Sequence, residues 1–304
     1  MTTMDLTVCA IPVFFVTMAA EALALGRRPR LRGYEVRDTA ASLTMGVVNE
    51  VINVAWMVGV QYGILAWFSR FAPWHLDPAD WRSWVVGVVA VDFAYYWFHR
   101  LSHDVRLLWA AHVNHHSSER YNLSTALRQS WTTPFTSLPF YWPLAALGLD
   151  PVMILTLSAL NTLYQYWIHT ELVGTIGVLE KVLNTASHHR VHHGTNVEYL
   201  DRNHAGIFIF WDKLFGTFEP EKAPVRYGLT KNIRTFNPFV IAFHEYAAIW
   251  RDVRRAKSLR DALGYVFCPP GWSPDGSTLT SRQLRAAAEA AATSPGEPMP
   301  AMAG

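Results

Sequence analysis

Histidine is the residue that this chain spaces for chemistry. Most of its 13 histidines fall in three tight clusters. His99 and His103 stand at i and i+4, which on a helix places both imidazoles on one face, a turn apart and able to share a metal. His112, His115 and His116 follow as HxxHH. There i and i+3 again share a face, while the adjacent His116 diverges by about 100°, a direction useful for reaching a second metal. His188-His189-Arg-Val-His192-His193 repeats HxxHH at His189, His192 and His193. Isolated histidines usually serve as polar surface groups, and His75 and His244 read that way. His244-Glu245 begins like HExxH but lacks the second histidine, so a zinc-protease reading fails. A mononuclear zinc site takes four ligands or fewer. At least eight clustered imidazoles without thiolates therefore indicate two metal ions. Imidazole suits iron, copper, zinc and nickel, so the ligand type leaves the element open.

The elements that must carry these rings are apolar. Hydrophobic residues make up 51% of the chain, charged residues only 16%, and 13 positions are Trp, a composition suited to a membrane protein with indoles at the headgroup level. Leu6 to Leu25 is long enough to span a hydrocarbon core of about 30 Å, and the basic run Arg27 to Arg32 after it marks a cytoplasmic end. It lacks the basic start and cleavage site of a signal peptide. Leu43 to Phe68 is a second candidate span, in which Asn49, Glu50 and Asn53 should face protein instead of lipid. Trp81 to Phe98 is a third. Pro134 to Leu149 and Pro151 to Ile168 read as an apolar hairpin, re-entrant or spanning, with Gly148, Asp150 and Pro151 at its tip. Counted alternately, these segments bring every histidine cluster to the cytoplasmic face.

The expected fold is therefore all-α: a polytopic membrane helical bundle of about 4–5 spans or hairpin members, with a cytosolic helical cap holding a dimetal site. Its parts are N-terminal membrane helices over 1–80, a catalytic domain over 81–220, a C-terminal cytosolic extension over 221–272, and a disordered Ala/Pro/Gly/Ser tail over 273–304 with a frayed helix at Leu284 to Ala292. Cys9 and Cys268 form no metal-ligand spacing or disulfide framework. The net charge of +2, with no dense basic patch, points to no nucleic-acid partner.

Taken together, the motifs resemble the fatty acid hydroxylase and sterol desaturase superfamily, whose pattern is HxxxH, HxxHH and a later HxxHH. The similarity extends over Arg82 to Phe218, through Asp92-Phe-Ala-Tyr-Tyr-Trp-Phe-His99, the stretch His115 to Ser130, and Trp211-Asp-Lys-Leu-Phe-Gly-Thr217. Within that superfamily it is greatest to the alkylglycerol monooxygenase branch and its bacterial relatives, where Pro270-Gly-Trp-Ser-Pro274 also has a counterpart. Two positions depart from that branch: Asp104 replaces Glu, and His204 replaces an aromatic residue.

The resemblance implies a di-iron centre that uses O2 and two external electrons to oxidise an unactivated C–H bond of a lipid, by hydroxylation or desaturation; zinc can replace the iron during purification. It also implies that His99, His103, His112, His115, His116, His189, His192 and His193 are metal ligands, with His169 as a ninth. His188 is left without a definite role. Asp92, seven residues before His99 and so on its face, is a candidate to accept from a ligand's far ring nitrogen; hydrogen bonding to a Tyr or Trp within the bundle is its other reading. Glu119, Asn122 and Asp201 lie near the clusters and are candidates to steady ligands or receive protons, or else caps and turn residues. No haem motif, GxGxxG or iron–sulfur cysteine set is present, so the electron donor must be a separate protein or diffusible cofactor, for which the resemblance suggests tetrahydrobiopterin. The competing class is a non-catalytic, histidine-rich membrane scaffold or metal transporter. A transporter would place its ligands at mid-membrane on broken helices, whereas these lie just past the spans.

Overall fold

The structure, a computed structural model, describes residues 6–28 and 31–293. Pro29 and Arg30 of the basic run and residues 294–304 of the expected tail lie outside the described residues. All regular elements among those described are helices, joined by loops that form only two isolated β-bridges.

Helix α1 (Leu6–Leu25) presents Val13, Phe15, Val16 and Leu23 outward and packs its opposite side on later helices. The turn back leads to Glu35, whose carboxylate accepts from Asp38 N at 2.7 Å and caps α2 (Val36–Trp56). A π turn (Met57–Gln61) carries α2 without a break into α3 (Tyr62–Ser69). Asp80 caps α4 (Trp81–Asp104), the central helix, which packs on α5 (Arg106–Ala110), α8 (Thr133–Ala146) and α9 (Pro151–Tyr166). Between α4 and α8 lie two single turns, α6 (Val113–His116) and α7 (Leu123–Ala126). The α8–α9 tip is made by Gly148 at φ 102°, a conformation open to glycine, and by Asp150, whose carboxylate accepts from Val152 N and Met153 N. Leu65, Val91, Ala94, Tyr141, Ala145, Leu149, Ile154 and Leu157 form the core between α3, α4, α8 and α9.

Two helical stretches are long and apolar enough to cross a membrane, Leu6–Leu25 and the continuous Val36–Ser69. The larger number of spans expected from the sequence is not reached on this measure, for physical reasons. Helix α4 is long enough, with 24 residues, but it carries Arg82, Asp92, Arg100 and Asp104. Helices α8 and α9 have 14 and 16 residues, about 21 and 24 Å, short of a hydrocarbon core of about 30 Å.

The remaining helices form the cap: α10 (Ala186–His192), α11 (Phe210–Leu214), α12 (Pro238–Arg255), α13 (Leu259–Phe267) and α14 (Ser281–Thr293). Arg106 ties α5 to α12 through Glu245 and Asp252, both at 2.7 Å. Within 273–293, where the sequence suggested a frayed helix at Leu284 to Ala292 in the tail, the chain forms a turn and the longer helix α14. That helix packs on the 3-10 turn Val197–Tyr199, and its Arg285 donates to Leu200 O.

Candidate metal centre

Nine histidines converge in two adjoining groups. The first holds His99, His103, His112, His116 and His192; the second holds His115, His169, His189 and His193, and the potential ligand atoms of each group lie within 4.8 Å of one another. The groups touch, with the His116 and His193 rings stacked at 4.4 Å.

The i,i+4 spacing governs this sorting: His99/His103, His112/His116 and His189/His193 each share a group, and in both HH pairs the neighbours part company. The i,i+3 pairing expected for His112 and His115 does not hold. His112 lies at the N-cap of α6 with φ −126°, outside helical geometry, so its ring joins His116 and leaves His115 to the second group.

The donor chemistry fits metal ions. His99 Nε2 lies 2.9 Å from His112 Nε2, and His116 Nε2 lies 3.1 Å from both His112 Nε2 and His192 Nε2. In the second group His169 Nε2 lies 3.0 Å from His115 Nε2 and from His189 Nε2, and His189 lies 3.2 Å from His193. Metal–imidazole bonds of about 2.0–2.1 Å put neighbouring ligand nitrogens about 3.0 Å apart around an octahedral ion and about 3.4 Å apart around a tetrahedral one. His99, His169 and His192 donate Nδ1–H to the carbonyls of His204 (2.7 Å), Gln165 (2.7 Å) and Arg202 (2.9 Å), which leaves the Nε2 lone pair as the inward-facing atom. His103 Nε2 is buried with no hydrogen-bond partner. Burial, reinforced by neighbouring imidazoles, holds His112, His115, His116, His189, His192 and His193 well below the usual imidazole range. Burial alone takes His169 down to about 4. Neutral rings are the form that ligates.

A loop in which the sequence singled out only Asp201 and His204 does much of the aiming. Residues 201–204 supply the Asp201 carboxylate to His103 Nδ1 at 3.2 Å, the Arg202 carbonyl to His192 and the His204 carbonyl to His99. Asp201 and Asn203 adopt φ 51° and 57°, conformations that most residues avoid. Asn203 is held there by donating to His188 O and Glu219 O and accepting from Glu219 N. Asp212 accepts from His204 N, Ala205 N and Thr217 Oγ1 at 2.6–2.9 Å. Asp92 grips the next residues, accepting from Ile207 N, Phe208 N, Trp211 Nε1 and Asn161 Nδ2. Gly206 passes so close that a Cβ would come within 2.7 Å of both Asp92 Oδ1 and Asn161 Oδ1.

Of the four supporting residues read from the sequence, Asp201 alone contacts a clustered ring. Asp92 shares a helix with His99, but its four donors come from the 207–211 segment and α9, and His99 turns to the His204 carbonyl. Asn122 is a cap, accepting from Ser124 N within a capping box. Glu119 is exposed, on a surface cleft with Arg32, Glu171 and Arg190. His188 is buried against Phe218 in neither group. His204 is also buried, with both ring nitrogens lacking a hydrogen bond, its ring 5.1 Å from that of His103 and its Nδ1 3.7 Å from Asp212. Sequence reasoning also passed over two buried carboxylates that lock the N-terminal helices to the site. Glu21 accepts from Tyr34 Oη, Leu123 N and Thr170 Oγ1. Asp38 accepts from Arg128 at 2.7 Å and Ser118 at 2.6 Å. The signal for Glu21 was present, as an acid inside an apolar run.

Two cavities reach the rings. One of about 240 Å³ runs between α1, α2, α4, α8 and α9, from Leu6 and Gln61 to His112, His115 and His169. The other, about 580 Å³, lies under α12 and the 270–284 segment and touches His103, His116, His192 and His193.

Two adjoining all-imidazole groups, joined by a cavity to membrane-length helices, define a histidine-box protein fit for two metal ions. Comparison with known families agrees: residues 84–217 match the fatty acid hydroxylase family. It is similar to alkylglycerol monooxygenase of Xenopus tropicalis (41% identical over 265 residues, 86% of this chain and 58% of the relative) and of Homo sapiens (48% over 241 residues, 78% and 53%). It is less similar to the ornithine lipid hydroxylase OlsE of Rhizobium tropici (28% over 165 residues, 52% and 50%). The chain thus spans little more than half the length of the alkylglycerol monooxygenases it matches. No solved structure matches it.

Proposed function

We propose that the chain is a membrane-bound, O2-dependent monooxygenase of ether lipids, with His99, His103, His112, His116 and His192 holding one iron and His115, His169, His189 and His193 the other. The observation that carries this reading is the pair of imidazole groups meeting at the end of a cavity that runs among the membrane-length helices. Bound iron would supply the activation of O2 needed to oxidise an unactivated C–H bond. The protein's own part is positional. Carbonyls of Gln165, Arg202 and His204 fix the ring tautomers, and Asp201 steadies His103. The walls of α2, α8 and α9 exclude water and lay an alkyl chain against His112, His115 and His169. The basic run after α1 supports a cytoplasmic position for the site. The two electrons come from a separate donor, with tetrahydrobiopterin suggested by the family resemblance.

Hydroxylation of the carbon bonded to an ether oxygen gives a hemiacetal, which collapses to an aldehyde and an alcohol. The test is to supply detergent-purified, iron-loaded protein with 1-O-hexadecylglycerol, O2 and a tetrahydropterin, and to assay hexadecanal. Hexadecanal formed only with O2 and reductant is the expected result. Its absence from protein shown to hold two irons would overturn the assignment.

A further inference from the structure

Helix α12 has two unlike faces. Ile241, Ala242 and Ile249 are buried on one, where Glu245 and Asp252 also hold Arg106 of α5. Phe239, Phe243 and Trp250 follow at intervals of four and seven, which puts them on a single stripe of the other face, and all three are exposed, Trp250 by 62%. Helix α13, packed against α12, repeats the pattern. Its Gly264 is buried against Trp272, while Leu259, Leu263 and Phe267, four residues apart, are exposed, Leu259 by 76%. Large apolar side chains left to solvent in such stripes mark a contact surface.

Charge and position both indicate what is contacted. Arg254, Arg255, Lys257 and Arg260 are exposed at the junction of the two helices and form no ion pair among the described residues. The one acid of the segment 250–260, Asp252, is engaged by Arg106. The junction is thus positive, with nothing in the chain to balance it. Ile241 and Ala242 pack with Ala41 and Met45, so α12 lies against the first turns of the membrane-length helix α2, beside the end that the basic run after α1 marks as cytoplasmic.

We infer that α12 and α13 lie on the surface of an anionic bilayer. The apolar stripes enter the boundary between headgroups and acyl chains, and the four cations meet lipid phosphates. Arg254 lies over the Trp250 ring at 6.0 Å, which places an amphipathic indole below a cation, as that boundary favours. On its other side α12 contributes His244, Glu245 and Ala248 to the cavity that reaches His103, His116, His192 and His193. One helix therefore meets lipid with one face and walls a cavity of the metal centre with the other.

The test places single nitroxide labels on the full chain carrying Cys9→Ser and Cys268→Ser, at Phe243→Cys, Trp250→Cys and Leu263→Cys. Val16→Cys on α1 is the lipid reference and Arg282→Cys on α14 the water reference. In vesicles of phosphatidylcholine with and without phosphatidylglycerol, the accessibility of each label to O2, which concentrates among acyl chains, is compared with its accessibility to a water-soluble nickel chelate. Retained metal content shows that each variant is folded. In phosphatidylglycerol vesicles the three cap labels should favour O2, as Val16→Cys does, while Arg282→Cys favours the chelate. Replacing Arg254, Arg255, Lys257 and Arg260 together by Gln, or raising the salt, should shift Trp250→Cys and Leu263→Cys toward the chelate and leave Val16→Cys unchanged. Chelate preference at all three cap positions, with Val16→Cys still in lipid, would overturn the inference and leave the membrane helices standing. Spin–spin broadening at these labels without O2 preference would give the face to a second copy of the chain and overturn it equally. The same O2 preference with and without phosphatidylglycerol would refute the anionic lipid as partner.

Discussion

Asn203 offers the sharpest test of how the rings are aimed. It is fully buried, sits at φ 57°, and makes three hydrogen bonds, at 3.0 Å to His188 O, 2.7 Å to Glu219 O and 2.9 Å from Glu219 N. Asn203→Gly keeps the backbone shape and removes the three bonds, worth about 1 kcal/mol each, or about 3 kcal/mol together. Asn203→Ala removes the same bonds and adds about 1 kcal/mol, because alanine tolerates the left-handed region less well than asparagine or glycine. At about 2 °C per kcal/mol for a chain of this size, the melting temperature should fall by about 6 °C and about 8 °C respectively. Because the loop fixes Nδ1 of His99, His103 and His192, metal affinity should fall about 10–100-fold, chiefly in the five-histidine group. Chelator titration of the metal-loaded, detergent-purified protein, following each metal separately, measures this. If both metals leave in parallel with wild-type affinity, or the glycine variant melts like wild type, the loop does not aim the rings.

Three further outcomes are expected. His115→Ala should lower metal content from about two to about one per chain by emptying the four-histidine group, and His116→Ala should empty the other; elemental analysis with a spectroscopic signature of the remaining ion distinguishes them, and loss of the same ion from both variants would contradict the sorting. Asp38→Ala should cost about 3–5 kcal/mol, because Arg128 is left buried and unpaired, while Asp38→Ala with Arg128→Met should cost less than the single change. A strictly additive double-mutant cycle would refute that coupling. Asp92→Ala strands four donors, one buried and three half-buried, at about 1 kcal/mol each, so chemical denaturation should show a loss of about 3–4 kcal/mol; a change within 0.5 kcal/mol would mean that the 207–211 segment is held elsewhere.

The helical fold and the clustered rings were legible because they are carried by short-range periodicity. Apolar runs of 20 or more residues and histidines at i, i+4 need only helix geometry to be read. Asn49, Glu50 and Asn53 were legible for the same reason, as polar groups on one face of an apolar helix, and they do face a protein cavity. The division of labour around the rings was not legible. Helix phase puts Asp92 on the same helix face as His99, but phase says nothing about which donors a carboxylate selects, and four groups from α9 and the 207–211 segment claim it. Backbone carbonyls of Arg202 and His204 carry no residue-type signal at all. The sorting of His112 away from His115 depended on where α6 begins, and a single residue at a helix boundary decides it.

That boundary has a consequence for how the centre behaves over time. Helix α6 gives His115 to one group and His116 to the other, and α10 divides His189 and His193 from His192 in the same manner. The separation between the two groups is thus gauged by the angular step between adjacent residues on a rigid turn, and not by the distance between domains. Each group also takes rings from both sides, His99 and His103 of α4 with His192 of α10, and His169 with His189 and His193, so the centre fastens the cap to the bundle. Deleting one residue between His189 and His192 would rotate one ring set by about 100° against the other and dismantle both groups together.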